Sequence, residues 1–244
     1  MKRGIVISWF RLLLIQASWS YSRMIGVGVA FSSEPLLRDL PGGVQGQRYR
    51  KALVRSASYF NGHPYLIGLA VGALARTEHE GVPPEQIGRL RSALAGPLGS
   101  VGDKMVWTGT LPSASAVGLV LAVTLSPMVG VVGFLVLHNI VNIGLRVWAL
   151  SAGWRGGMQV AKFLGGAAIK LCLKVAGPMA ACAVGLALPL AGAWLARGLD
   201  MKALLGVGIV ATVGIVFARS LWPTLGGLRF GLGGVALAVL AGWL

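Results

Sequence analysis

Three sets of polar side chains stand in stretches that are otherwise apolar. Asn61 and His63 flank Gly62 just before Pro64. Asp103 follows Gly102 and stands two residues before Met105–Leu145, a run of 41 residues without a formal charge. His138, Asn139, Asn142 and Arg146 recur at i, i+1, i+4 and i+8 at the end of that run. An ionisable side chain in such surroundings is costly and is a functional hypothesis by default. Amides and a carboxylate at helix breaks suit a polyhydroxylated solute, because its hydroxyls both donate and accept. The same residues also have a purely structural reading. Asp103 would pair with Lys104 or Arg146, and Asn61 and His63 would cap a broken helix.

Other chemistry is poorly provided for. An enzyme site needs a nucleophile, an acid or base and electrophilic support. Five of the seven carboxylates (Glu34, Asp39, Glu78, Glu80, Glu85) lie in polar stretches that read as loops, and His79 sits among them in a TEHE run that reads as solvated. No Walker loop, GxSxG elbow or HExxH is present. Catalysis by this chain alone is not expected. No His/Cys cluster or CxxC implies a metal, and no cofactor motif is found. Cys172 and Cys182 lie in apolar sequence and read as small packing residues.

The elements that must hold these residues follow from composition. The 244 residues are 55% hydrophobic and 12% charged, with a mean hydropathy of +0.75. Soluble domains carry roughly twice that share of charge, and disordered chains combine high charge with low hydrophobicity. An integral membrane protein is the reading left. The formal charge of +15 then reads as topogenic, with Lys and Arg holding the cytoplasmic ends of spans against anionic lipid. No nucleic-acid-binding motif accompanies it.

Along the chain, Arg11 interrupts the first apolar run, so residues 5–31 read as one amphipathic helix lying in the membrane interface rather than a cleaved leader. Pro35, Pro41, Gly42 and Gly43 predict a loop after it. Arg48, Arg50, Lys51 and Arg55 have helical spacing and read as a solvated cytoplasmic helix face. Pro64 breaks the apolar stretch 56–75, leaving a run too short to span, so the segment is predicted to enter the membrane, break and return. Gly96, Pro97, Gly99, Gly102 and Pro112 argue against a uniform helix through 93–113. Residues 105–145 read as two spans joined at Ser126-Pro127, Arg146 and Arg155 with Trp148 and Trp154 as an interfacial anchor, and 175–196 as a further span. The runs 203–218 and 230–244 read as one or two more. Gly68 with Gly72 and Gly227 with Gly231 fit the small-xxx-small pattern of close helix packing. The expected fold is an all-α integral membrane protein: an amphipathic interfacial helix and re-entrant region over 1–112, then a bundle of transmembrane helices over 113–244.

Four ordered blocks carry a resemblance: FRLLLIQASWSYSRMIGVGVAFS at 10–32, SYFNGHPYLIGLAVGALARTE at 58–78, ALAGPLGSVGDKMVWTGTLPS at 93–113 and LHNIVNIGLRVWALSAGWRGG at 137–157. Together they resemble the D subunit of the mannose-type sugar phosphotransferase system, called EIID, over about 1–157 and more loosely beyond. The chain departs from that family's pattern at Lys104, at Val106, and after Gly157, where Lys162, Lys170 and Lys174 occur.

The resemblance implies a non-phosphorylated multi-pass subunit of the bacterial cytoplasmic membrane. It implies pairing with a IIC subunit into a sugar-translocating complex, assembly as a trimer of IIC–IID heterodimers, and service by cytoplasmic IIB and IIA phosphocarriers. Uptake of a hexose or hexosamine, phosphorylated by IIB as it emerges, is the implied role. Asn61, His63, Asp103, Trp107 and Asn139 would be substrate-proximal, and Arg48, Arg50, Lys51, Asn142 and Arg146 would serve partner contacts or structure. The departures leave a second reading, a scaffold or sensor of the same family that docks phosphotransferase proteins without moving sugar.

Overall fold

The structure, a computed structural model, describes residues 2–197 together with Lys202 and Gly206. It divides into two units, Met1–Ala191 and Gly192–Leu244. The site and core below lie in the first unit. The runs 203–218 (but for Gly206) and 230–244, and the Gly227/Gly231 pair, fall outside the described residues.

Every regular element among the described residues is helical: α1 (Lys2–Leu12), α2 (Gly26–Leu37), α3 (Gln47–Ser56), α4 (Gly68–Glu80), α5 (Pro84–Gly102), a π-helical segment (Asp103–Thr110), α6 (Leu111–Thr124), α7 (Pro127–Gly156), α8 (Ala161–Leu164) and α9 (Ala167–Ala196), with single 3-10 turns at Gly43–Gln45 and Gly157–Gln159. Among the described residues, three stretches are long and apolar enough to cross a membrane: Pro84–Thr124, Pro127–Gln159 and Ala167–Ala196.

Local signals set many boundaries. Ser126 caps α7 by accepting from the Val129 N–H at 3.3 Å, and Pro127 occupies the first turn, where a missing donor costs nothing. The two spans joined at Ser126-Pro127 are therefore α6 and α7. Gly81, at φ 74°, ends α4 in the left-handed conformation that glycine alone adopts cheaply. Pro84 and Glu85 then open α5, matching the N-terminal preference for proline and negative charge.

Three sequence expectations need correction. Residues 5–31 are two helices rather than one, because the chain turns through 13–25, where Met24 takes φ 50° and Gly26 packs against the Ser58 carbonyl. The predicted loop begins later, since α2 carries Pro35 within it and runs to Leu37. The helix through 93–113 is not uniform, as expected, but the break placed at Gly102 and Asp103 is a widening to a π-helical segment, through which the chain stays helical.

α4 is buried from Gly68 to Ala75 and forms the centre of a core with Leu12, Val29, Phe60, Leu98 and Leu150. A helix apolar all round belongs in such a position. By contrast Val131, Val132, Leu135, Val136 and Ile140 on α7 are exposed. An apolar surface of this kind is a lipid- or partner-facing one. Cys172 and Cys182 are exposed and free as well, so they do not pack the interior.

Glu34 and Glu78 are not free loop charges. Glu34 lies on α2 and accepts from Arg11 Nη1 at 2.7 Å, Arg38 Nε at 2.6 Å and Tyr49 Oη at 3.0 Å. It thereby ties α1, α2 and α3 together. Glu78 is buried and paired with Arg55 at 2.7 Å, and His79 Nε2 meets the Leu36 carbonyl at 2.7 Å.

Burial alone would raise the pKa of Glu34, but the hydrogen bonds from Arg38, Tyr49 and Arg11 outweigh it and hold the carboxyl below its ordinary 4.5. The carboxylate form is then the one that folding favours. Its contribution is complete above that ordinary value and declines as the pH falls below it, toward the depressed native value. The protection of α2 amides, taken as the exchange rate relative to the intrinsic rate at each pH, should stay constant from pH 7 to about pH 5 and fall under more acid conditions. Glu34→Gln should remove that acid step.

Candidate functional site

The site grows from the close approach of three segments: the 61–67 connection, the end of α5 with its π-helical continuation, and the middle of α7. His63 is 2% exposed, and its backbone N–H reaches the Leu98 carbonyl at 3.4 Å. A Cβ on Gly102 would overlap Cβ and Cγ of the His63 side chain, so only glycine lets the helix pass the imidazole. That contact sets where Asp103 and the following turns begin. The π-helical segment carries one extra residue per turn, a feature frequent at functional sites. Its carbonyls are partly served by side chains: Thr108 Oγ1 donates to Lys104 O and Ser113 Oγ to Gly109 O, both at 2.8 Å.

Around His63 the aromatic rings converge. Tyr65 lies 5.0 Å and Trp107 5.1 Å from its ring centroid. The Tyr65 N–H donates to His63 Nδ1 at 3.2 Å. This assigns the proton of the neutral ring to Nε2, which is buried without an acceptor among the described residues. The Tyr65 hydroxyl shares a 3.1 Å hydrogen bond with His138 Nε2, and the His138 ring stacks on Phe134. Arg146 lies over the Tyr65 ring, with Cζ 4.9 Å from the centroid. Its Nε donates to Asn142 Oδ1 at 2.7 Å, and its Nη1 donates to the Leu12 carbonyl at the end of α1.

His63, Trp107, His138, Asn142 and Arg146 therefore join one network, with Tyr65 as its hub. Arg146 is 4% exposed and is a buried tether, not the interfacial anchor expected for it. Asp103 is exposed and, among the described residues, forms an ion pair with neither Lys104 nor Arg146. Trp107 is 45% exposed, so its ring is both part of the network and open on one side. Asn61 is exposed. Asn139 is exposed too and donates to Leu135 O of its own helix at 2.8 Å, outside the network. Among the described residues, no three His, Cys, Asp or Glu side chains gather where they could hold a metal ion.

Comparison with known proteins then places the chain. The profile of the PTS system mannose/fructose/sorbose family IID component matches residues 1–197. The chain belongs to this family. As an EIID protein it is 28% identical over 163 residues to the PTS system mannose-specific EIID component of Escherichia coli K12, covering 65% of this chain and 57% of that one. It is 30% identical over 170 residues to the sorbose-specific EIID component of Klebsiella pneumoniae, covering 67% and 61% respectively. The Bacillus subtilis fructose permease IID component is 27% identical over 170 residues, covering 68% and 61%. The aligned part thus spans under two thirds of these relatives' length. Among solved structures, a complex of the mannose transporter ManYZ with microcin E492 has a chain of the same fold, at TM-score 0.61 and 22% identity, covering 97% of each chain. A second structure, described as a membrane protein, gives TM-score 0.73 at 22% identity, covering 100% of this chain and 96% of that one.

The basic cluster singled out in this EIID chain lies on α3. Arg50 and Lys51 are exposed, and Arg50 Nη2 donates to Gln45 Oε1 at 3.1 Å. Arg48 instead reaches the Glu78 carbonyl and joins α3 to the end of α4. Composition singled out these cations and the isolated polar residues. Tyr65 was missed, since it stands at the head of an apolar run and its hydroxyl partner lies 73 residues away.

Proposed function

We propose that the chain is the IID membrane subunit of a phosphoenolpyruvate-dependent sugar phosphotransferase system. It pairs with a IIC subunit in the bacterial cytoplasmic membrane, as one heterodimer of a trimer, and passes a hexose or hexosamine inward. Cytoplasmic IIB, charged through IIA, phosphorylates the sugar, and this chain carries no phosphoryl group itself. The observation that carries the reading is the Tyr65 hub. It gathers imidazoles, amide and indole beside an otherwise apolar helical hairpin, and it leaves the Trp107 ring and the Asp103 carboxylate open. An open aromatic face with a nearby carboxylate suits a sugar, which stacks its C–H face and donates its hydroxyls. Asn61, His63 and Asn139 complete the candidate sugar-proximal set, and Arg48, Arg50, Lys51, Asn142 and Arg146 hold partner or internal contacts.

Orientation follows from charge. Met105–Leu145 carries no Lys or Arg, whereas the stretch before it carries 13 of the 22. The hairpin tip at Ser126 therefore faces outward and the α1–α4 body faces the cytoplasm.

Uptake of labelled mannose and glucosamine into vesicles holding this chain, its cognate IIC and phosphorylated IIB tests the reading. Omitting this chain should abolish uptake. Asp103→Asn and Trp107→Ala should each lower uptake by about tenfold or more while the complex still co-purifies, the scale of losing one good hydrogen bond or one stacking contact. Normal uptake in both variants would remove Asp103 and Trp107 from the sugar path. No uptake from a stable wild-type complex would reject transport altogether.

A further inference from the structure

A second polar site lies in the cytoplasmic body, away from the Tyr65 network. Between α3, the 57–60 connection, the end of α4 and the start of α5 is a cavity of about 360 Å³. Its lining includes Arg55, Ser58, Tyr59, Glu78, Arg91 and Ser92.

Arg91 is the unusual group. It is 8% exposed, and its Nη2 donates to the carbonyls of Ser56 and Ser58 at 3.0 and 2.5 Å. Its Nε and Nη1 are buried without an acceptor, and Cζ lies 4.9 Å from the Phe60 ring centroid. Among the described residues no carboxylate pairs with it. A buried cation without a counter-charge is expensive and is normally paired.

The one carboxylate lining the cavity is already engaged. Glu78 receives Arg55 Nε at 2.9 Å and Arg55 Nη2 at 2.7 Å on both of its oxygens. That pair is neutral as a unit, so Arg91, which also lines the cavity, is left without a counter-charge there. Ser58, Tyr59 and Ser92 are exposed at the rim and add hydroxyl donors.

We propose that this cavity binds a phosphate-class oxyanion, either free inorganic phosphate or the headgroup of an anionic phospholipid. The anion supplies the missing counter-charge for Arg91 and accepts from the hydroxyls at the rim. A phosphate offers several strong acceptor oxygens to a guanidinium and surrounding hydroxyls, which suits this donor set better than a monovalent halide does. The proposal does not depend on sugar transport.

Gly88 allows a clean test. It lines the cavity, and a Cβ there would meet nothing within 4 Å, so the first atom of a larger side chain is accommodated and Gly88→Leu is expected to narrow the mouth. Leucine is also the better helix former, so folding is retained. The full chain is placed in phosphatidylcholine nanodiscs, and its thermal midpoint is read in sodium phosphate and in sodium chloride at equal ionic strength. A parallel comparison sets phosphatidylglycerol nanodiscs against phosphatidylcholine ones without phosphate.

A rise of about 5 °C near saturation in either arm is expected for the wild type. The arm that responds names the source of the anion. The rise should disappear in Gly88→Leu and in Arg91→Gln. General exclusion of phosphate from protein surfaces acts on all three proteins alike and cancels in the comparison. A wild type that responds in neither arm overturns the proposal, and so does a Gly88→Leu variant that responds as the wild type does.

Discussion

Replacing Gly72 with leucine should leave little folded protein. Gly72 lies on α4, where a Cβ would stand 2.5 Å from the backbone nitrogen of Trp154 and 2.6 Å from the carbonyl oxygen of Leu150, both on α7. Those are backbone atoms of a 30-residue helix and cannot swing aside as a side chain would. Gly68 meets α7 in the same way, with Leu150 N at 2.8 Å, and Gly153 returns the contact against the carbonyls of Leu69 and Gly68. The two helices are therefore locked at backbone distance over two turns. Separating them opens voids along a helix buried on every side. Ordinary overpacking costs about 1–3 kcal/mol. Here the lost contact is the centre of the core, so the loss approaches the 5–15 kcal/mol by which domains are stable at all. The checks are the yield of monodisperse protein after extraction in mild detergent and the thermal midpoint. Gly144→Leu on the same α7 is the control, because a Cβ there meets nothing within 4 Å. It should extract normally. Normal behaviour of Gly72→Leu would mean that α4 and α7 are not packed as described.

This contact was legible in the sequence, since small residues four apart in an apolar run have few uses other than close approach. So was the α6–α7 turn, because Ser126-Pro127 is a local signal that acts within one turn of helix. What escaped reading was nonlocal. Glycine and proline between 93 and 113 argue for a helix broken at Gly102 when water competes for the backbone. In an apolar setting the backbone has no other partner, so the helix widens at Asp103 and continues. Glu78 and His79 look solvated in a TEHE run, but Arg55 and the Leu36 carbonyl lie in the two preceding helices. The candidate site divides the same way. Residue type alone marked His63, Asp103 and Arg146, because polar groups in apolar sequence stand out. Tyr65 was hidden by its amphipathic character, and Asn139 resembled its neighbour His138 although it serves only its own helix.

Arg146→Ala should unfasten α1 and loosen the Tyr65 hub together. Arg146 Nη1 reaches the Leu12 carbonyl, at the C-terminal end of α1, where the helix dipole favours a cation. Its Nε holds Asn142 at 2.7 Å, and its guanidinium lies over Tyr65. Truncation removes two charge-assisted hydrogen bonds and leaves a void in the core. A loss on the order of 3 kcal/mol is expected. Opposing this, the variant no longer buries a charge, and replacing buried ions by apolar groups of similar size is often neutral or stabilising. Arg146→Met separates the two effects. Methionine refills most of the volume, so global stability should return close to that of the wild type. The tether should not return, because methionine donates no hydrogen bond. Amide exchange at Leu13, Leu14 and Ile15, just past the end of α1, should therefore be about tenfold or more faster in both variants, the rate change that loss of one charge-assisted hydrogen bond produces. If exchange there matches the wild type in Arg146→Met, packing alone docks α1, and the buried cation serves Asn142 and the ring of Tyr65 instead.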